Sequence, residues 1–286
     1  MATPVPTTTA QPLTVQSFGL SHPGRVRSNN EDVFLTGELA RTLLVRHTNL
    51  PQPDETHGRH RGHVFLVADG VGGNEAGEVA SRLGTNAVEG FLLNSFRRFT
   101  AAPSADGQPV LRELQAALRE ADARLFEEVG RHPEWWGMGT TLTVAVVAGR
   151  RLFVAHAGDS RCYLHSAGVL RQLTTDHTVA AEMVRTGLLT PAQQDQHPWR
   201  HVLTNLVGGS DPGVRAEVHL FDLHPGDALL LCTDGLTDMV PDDVIAAVLS
   251  EAACPEQVCR RLIDEANGNG GRDNVTAVVA RFDDAP

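Results

Sequence analysis

The chain lacks a surplus of basic residues. Its 24 Lys and Arg are set against 35 Asp and Glu, for a net charge of −11. That balance excludes a nucleic-acid groove, whose phosphates demand an excess of cationic side chains. Missing too is any apolar run near the roughly 20 residues that a membrane-spanning helix needs, so no membrane span is expected. The first twelve residues, MATPVPTTTAQP, have neither a basic start nor a continuous apolar stretch, which argues against a secretory leader and for a cytoplasmic protein. Cys162, Cys232, Cys254 and Cys259 form no CxxC pair. They read as small core residues in a reducing compartment rather than as metal ligands or a disulfide framework.

What is present suffices for one sizeable domain: 286 residues, 41% of them hydrophobic, can bury a substantial core. Residues 1–12, rich in Thr, Pro and Ala, are expected to be a flexible tail before a domain covering 13–286. LTVQSFGLSH has strand character. The stretch from about Gly37 to Gly62, rich in Pro, His and Arg, reads as a surface excursion with at most a strand extension in TLLV. Two long amphipathic helices follow. One places Ala76, Val79, Ala80, Leu83, Ala87 and Phe91 on a single face, and the other does so with Leu111, Leu114, Leu118, Ala121 and Leu125. From Gly139 the pattern changes to β-branched and apolar runs punctuated by AGR, AGDS and SAG turns, which predicts an antiparallel meander. Residues 176–207 predict short helices or a flap. Strands resume in EVHLFDL and DALLLC, two shorter helices follow in DDVIAAVLS and PEQVCRRLIDEA, and NVTAVVARF closes the chain as a strand. Blocks of strands and blocks of helices indicate an α+β fold with helices packed on antiparallel sheets.

Four aspartates sit at the ends or edges of apolar runs far apart in sequence: Asp69 in VFLVADG, Asp159 in VAHAGDSR, Asp234 in ALLLCTDG and Asp273 in GGRDN. Glu31 and Asp32 of RSNNED form a fifth acidic element. Buried strands hold whatever stands at their ends in rigid positions, and carboxylates gathered there need a shared cation or must lose their charge. Asp69, Asp234 and Asp273 make an all-oxygen ligand set that suits Mg²⁺ or Mn²⁺ better than zinc or copper. Gly70 lets its own backbone carbonyl approach an ion closely. Two such ions can activate a water for in-line attack on phosphorus. Arg27, shortly before Glu31 and Asp32, supplies the planar fork that grips two phosphate oxygens. Taken singly, each Asp reads as an ordinary turn former; the metal reading rests on their number and order. His57, His60 and His63 lie among prolines and glycines that break a helix, and read as a solvated loop. Trp135 and Trp136 read as packing residues.

RSNNEDVFL, VADGVGG, MGTTLTVAVV, HAGDSRCYL, LTTDHT, VLTNLVGG, LLLCTDGLTD and GGRDNVTAVV, in that order, resemble the metal-dependent Ser/Thr protein phosphatases of the PP2C (PPM) family in its compact bacterial form. The resemblance runs from about residue 14 to 281. It implies a four-layer αββα sandwich with the metals in a cleft at one edge of the two sheets. Asp69 would bridge two Mn²⁺ or Mg²⁺ ions, with the Gly70 carbonyl on the first and Asp234 and Asp273 completing the second. Asp32 and Glu31 would act largely through metal-bound water, and Arg27 would hold the phosphate. A third, weaker ion is implied at Asp159 and Asp234. The implied partners are phosphorylated proteins, together with a Ser/Thr kinase that shares those substrates. One departure stands out: Val71 occupies the position after Asp69-Gly70 where eukaryotic relatives often carry a His thought to protonate the leaving group, and Val71 has no proton to give. A phosphoprotein-binding pseudophosphatase and a small-molecule phosphohydrolase are the rival readings. The intact Asp set argues against the first.

Overall fold

Strands whose residues are nearly all apolar bury both faces, because successive side chains point to opposite sides of the pleat. In the computed structural model, which describes residues 13–40, 61–73, 75–100, 107–251 and 254–284, that rule produces three stacked cores. The elements of the first half are β1 (Leu13–His22), β2 (Val33–Ala40), β3 (Arg61–Ala68), β4 (Gly70–Val71), α1 (Ala76–Thr100), α2 (Gln108–Arg131), β5 (Gly139–Thr140), β6 (Leu142–Ala148) and β7 (Arg151–Ala157). Those of the second half are β8 (Arg161–Ser166), β9 (Val169–Gln172), α3 (Val179–Arg185), α4 (Pro191–Gln194), β10 (Val207–Gly208), β11 (Glu217–Asp222), β12 (Ala228–Cys232), α5 (Asp234–Thr237), α6 (Asp242–Ser250), α7 (Pro255–Gly268) and β13 (Val275–Asp284).

Two five-stranded antiparallel sheets result, ordered β11-β7-β6-β3-β2 and β1-β13-β12-β8-β9, with a small third sheet β10-β5-β4. On β3, Val64 and Leu66 face α1 and α2, whereas Phe65 and Val67 face the opposite sheet. Likewise Leu230 and Cys232 of β12 pack with α6 and α7, while Leu229 and Leu231 meet the first sheet. The order of layers is therefore helix, sheet, sheet, helix, the α+β sandwich expected. The helix faces agree as well: Leu114, Leu118, Ala121 and Leu125 of α2 are fully buried.

Three expectations need correction. The run from Gly139 is not one meander: β6–β7 lie in the first sheet and β8–β9 in the second. Each hairpin has an apolar face, with Leu152 and Val154 on one and Cys162 and Leu164 on the other, and both faces enter the same inter-sheet core. Folding one hairpin over the other buries both, which a flat meander would not. Gly158, with φ of +119°, makes that turn available. The excursion between Gly37 and Gly62 is also shorter than expected, since β2 and β3 pair as far as Ala40 and Arg61. TLLV, His57, His60 and the tail 1–12 lie outside the described residues. His63, expected in a solvated loop, is instead within β3, where pairing with β2 carries it into the sheet, and it stacks on Phe65. Trp135 packs on the helix-side core, whereas Trp136 is 69% exposed.

Phe65 fills the layer between the sheets with no exposed surface, so Phe65→Ala should cost about 3–5 kcal/mol of unfolding free energy, measured by urea denaturation. A loss below about 1 kcal/mol would mean that the layer collapses around the void instead of holding its shape.

Candidate active site

Antiparallel pairing places the end of one strand beside the start of its neighbour, and this brings the acidic motifs to one edge of the sandwich. Val33 at the start of β2 pairs with Ala68 at the end of β3. Cys232 at the end of β12 pairs with Arg161 and with Ala277. Asp32, Asp69, Asp159, Asp234 and Asp273 flank those strand ends. Four of them, Asp69, Asp159, Asp234 and Asp273, line an open cleft of about 710 Å³ together with Arg27 and Glu31. The residues singled out in the sequence thus converge, from both sheets.

Several of them are held by neighbours that sequence reasoning left without a role. The Thr140 hydroxyl and the Thr141 N–H both donate to the Asp69 carbonyl, at 2.8 and 2.9 Å, and the Asp69 N–H donates to Thr141 Oγ1 at 2.9 Å. Thr141 Oγ1 continues to Ser160 Oγ at 2.7 Å, joining the Asp69 and Asp159 segments. Asp32 is buried, with its Oδ2 accepting from the hydroxyls of Thr233 at 2.8 Å and Thr276 at 2.7 Å. Asn274 ties the RSNNED loop to the start of β13: its Oδ1 accepts from Glu31 N–H and its Nδ2 donates to the carbonyls of Asn29 and Pro23. A side chain at position 70 would collide with the Gly77 backbone, so only glycine permits β4 to pass against the start of α1.

The electrostatics are those of negative charges forced together. Burial, then repulsion from Asp32, Asp234, Asp159 and Asp273, holds the Asp69 carboxyl well above the usual carboxylate range. Asp159 is raised by burial and by Asp234 and Asp176. Asp32 is pushed up to about 7, mainly by burial, although its threonine hydrogen bonds oppose the shift. Asp234 reaches about 6 through burial and repulsion from Asp238 and Asp273. Asp32 Oδ1 and Asp234 Oδ1 are buried with no hydrogen-bond partner. Buried polar atoms are normally satisfied. Hard oxygen donors left open beside crowded carboxylates are what a divalent cation such as Mg²⁺ or Mn²⁺ accepts, so the residues present fit such ions.

Two placements were not legible beforehand. Arg27 Nη2 lies 2.7 Å from Asp273 Oδ2, pairing the expected phosphate-holding residue with an expected metal ligand. His201, from residues 176–207, reaches the cleft with Nδ1 3.6 Å from Asp234 Oδ2 and Nε2 3.3 Å from Asp238 Oδ2. Donor atoms of Asp159, His201 and Asp234 lie within 4.8 Å of one another. No spacing in HPWRH announces that role, because it depends on how the segment folds back.

A family profile described as protein phosphatase 2C matches residues 45–262. The chain is 36% identical over 271 residues to the serine/threonine protein phosphatase PstP of Mycobacterium tuberculosis, covering 94% of this chain and 45% of that protein. It is 31% identical over 239 residues to the serine/threonine phosphatase stp of Listeria monocytogenes, covering 84% of this chain and 92% of that one. The crystal structure of the PstP catalytic domain in complex with two manganese ions matches with a TM-score of 0.75 at 33% identity, over 95% of this chain and 100% of that one. The chain therefore spans less than half of PstP and nearly all of the Listeria protein.

The raised carboxyls generate a pH prediction. An unfolded Asp titrates near 3.9, whereas Asp234 and Asp32 keep their protons to about 6 and 7 in the fold. Their contribution to stability is complete below the unfolded value and is lost as pH rises through the folded values. The melting temperature of metal-free protein should therefore carry a downward slope between about pH 4 and 7, smaller in Asp234→Asn and flattened by Mn²⁺, which replaces the protons. A metal-free slope that is the same in Asp234→Asn and unaffected by Mn²⁺ would contradict this account of the cleft.

Proposed function

The chain belongs to the protein phosphatase 2C family, and from that premise we propose that it is a metal-dependent protein phosphatase hydrolysing phosphoserine and phosphothreonine. The observation that carries this reading is the convergence of Asp69, Asp234 and Asp273 in one cleft with unpartnered buried oxygens on Asp32 and Asp234. Asp69, the Gly70 carbonyl, Asp234 and Asp273 are the residues that would hold two Mn²⁺ or Mg²⁺ ions, with Asp32 and Glu31 supporting them through water. Such ions supply Lewis-acid activation of the attacking water and neutralise charge on the phosphoryl group. We assign a third, weaker ion to Asp159 and Asp234, beside His201.

The remaining work falls to side chains. Arg27 grips the phosphate of the substrate: its present pair with Asp273 is 57% and 38% exposed, and exposed pairs are worth about 1 kcal/mol or less. Exchanging that carboxylate for a phosphate is therefore inexpensive. The threonines behind Asp69 and Asp32 hold the ligands in place, so that the site is formed before substrate arrives. Phosphorylated proteins are the assigned substrates and a Ser/Thr kinase the assigned counterpart. Residues 1–12 are assigned as a tail, 13–286 as the phosphatase domain, and 176–207 as a flap over the cleft. A cytoplasmic setting is supported by Cys162, Cys232 and Cys259, which are free and buried, and no helix among the described residues is long and apolar enough to cross a membrane.

The test is hydrolysis of a phosphopeptide and of an aryl phosphate with and without Mn²⁺. Loss of a hydrogen-bond partner of a metal ligand already costs about 10–100-fold, so Asp69→Asn and Asp273→Asn should each lose more than about 100-fold while melting cooperatively. Arg27→Ala should instead raise KM and lower kcat with Mn²⁺ affinity retained. Metal-independent activity in a folded Asp69→Asn variant would sink the assignment.

A further inference from the structure

LTTDHT contains a histidine that the site described above leaves without a role. His177 stacks on His156 with ring centroids 4.9 Å apart, and the surroundings define the protonation of both rings. His156 Nε2 lies 3.0 Å from the Gly158 carbonyl and 3.1 Å from the Thr175 carbonyl, and Nδ1 lies 2.9 Å from Thr143 Oγ1. Carbonyls only accept, so Nε2 carries the proton and Nδ1 takes the threonine hydroxyl. His177 has the same arrangement. Its Nδ1 accepts the Gly158 N–H at 3.1 Å and faces Asn205 Nδ2 at 3.0 Å, which leaves Nε2 as the donor to Glu217 Oε2 at 3.2 Å. The His177 N–H donates in turn to the Gly158 carbonyl at 2.8 Å. Both backbone groups of Gly158 are thus gripped by the histidine pair, and the next residue is Asp159.

The same histidine stands where residues 176–207 leave and rejoin the sandwich. Thr204 N–H donates to the His177 carbonyl at 2.8 Å and Val179 N–H to the Val202 carbonyl at 2.9 Å. Between these bonds Thr178 bridges Leu203, two residues beyond His201. Arg161 independently holds Asp176 through Nε and Nη2, at 2.9 and 2.7 Å, so the root of the segment does not depend on the imidazole for its fold. Donor atoms of His156, His177 and Glu217 lie within 4.8 Å of one another, a spacing open to a cation. Yet His156 Nε2 is committed as a donor to two carbonyls, and a protonated nitrogen is no ligand. The cluster is a hydrogen-bonded clasp.

We propose that His177, oriented by Glu217, is a positioning residue that locks the Asp159 turn to the root of residues 176–207, so that Asp159 and His201 meet Asp234 together. This rests on the reading of Asp159 as a ligand of the weaker cation. The element that matters is the acceptor at Nδ1. An asparagine amide oxygen reaches the position of Nδ1, whereas a glutamine amide reaches that of Nε2, so His177→Asn and His177→Gln separate the two nitrogens.

The measurements are backbone amide exchange at Gly158 by NMR, Mn²⁺ binding by calorimetry, and phosphopeptide kinetics. Relative to wild type, His177→Gln should exchange the Gly158 amide about tenfold faster, as expected for one lost hydrogen bond. It should also lose the weak Mn²⁺ step while keeping the tight one, and lower kcat. His177→Asn should restore all three. Protection at Gly158 retained in the glutamine variant and lost in the asparagine variant, or equal to wild type in both, would overturn the proposal. Should neither variant fold, the side-chain ¹⁵N spectrum of wild-type His177 decides: a proton on Nε2 alone at neutral pH supports the clasp, and a proton on Nδ1 overturns it. A wild-type protein without Mn²⁺-dependent hydrolysis would refute the phosphatase reading, whereas Gly158 exchange and the His177 tautomer would still report on the clasp.

Discussion

Repulsion among carboxylates is the constraint around which this end of the molecule is organised. Asp32, Asp69, Asp159 and Asp234 are each pushed to bind protons more tightly, first by burial and then by neighbouring carboxylates. Arg27, which pairs with the neighbouring Asp273, is more than half exposed, so it offsets little of the charge. A fold tolerates such crowding when other interactions over-determine it. Here the three stacked cores do so: strands buried on both faces have no freedom to splay their ends apart, and a bound cation converts the repulsion into shared attraction.

The manner of holding is as informative as the crowding. Asp32 is fixed by two threonine hydroxyls that satisfy one oxygen and leave the other open. Asp69 is fixed through its backbone by Thr140 and Thr141, leaving its side chain to the cleft. Asn274 spends its whole amide on the loop that carries Arg27 and Glu31. The threonines and Asn274 touch no substrate in the reading given above, yet each sets the position of a residue assigned to the ions or to the phosphate. Preorganisation of this kind reduces the reorganisation that binding would otherwise require.

The β7–β8 turn has a further part. It carries the chain from one sheet to the other, and so places Asp159 where the sheets meet while Thr141 and Ser160 join it to Asp69. The root of residues 176–207 packs on the same turn through His156 and His177. Two segments that come to Asp234 from different directions, one with Asp159 and one with His201, thus share a common footing at Gly158.

The residue patterns by themselves determined the strands and helices, the helix faces and the acidic positions, while the four layers were implied by the family resemblance. Two-sided apolar runs such as VFLVA and ALLLC, bounded by glycines, read as interior strands that hold the aspartates at their ends in place. Periodicity is a local property, and burial follows from it directly. Tertiary structure decided the rest. The partition of β6–β7 and β8–β9 between two sheets depends on which faces cover each other, which alternation along one strand does not record. The pairing of Arg27 with Asp273, separated by 246 positions, the reach of His201 to Asp234 and the grip of His177 on Gly158 depend on where distant backbone passes. Polar contacts of that kind leave no period in the chain, since a single hydrogen bond constrains one donor and one acceptor and asks nothing of their neighbours in sequence.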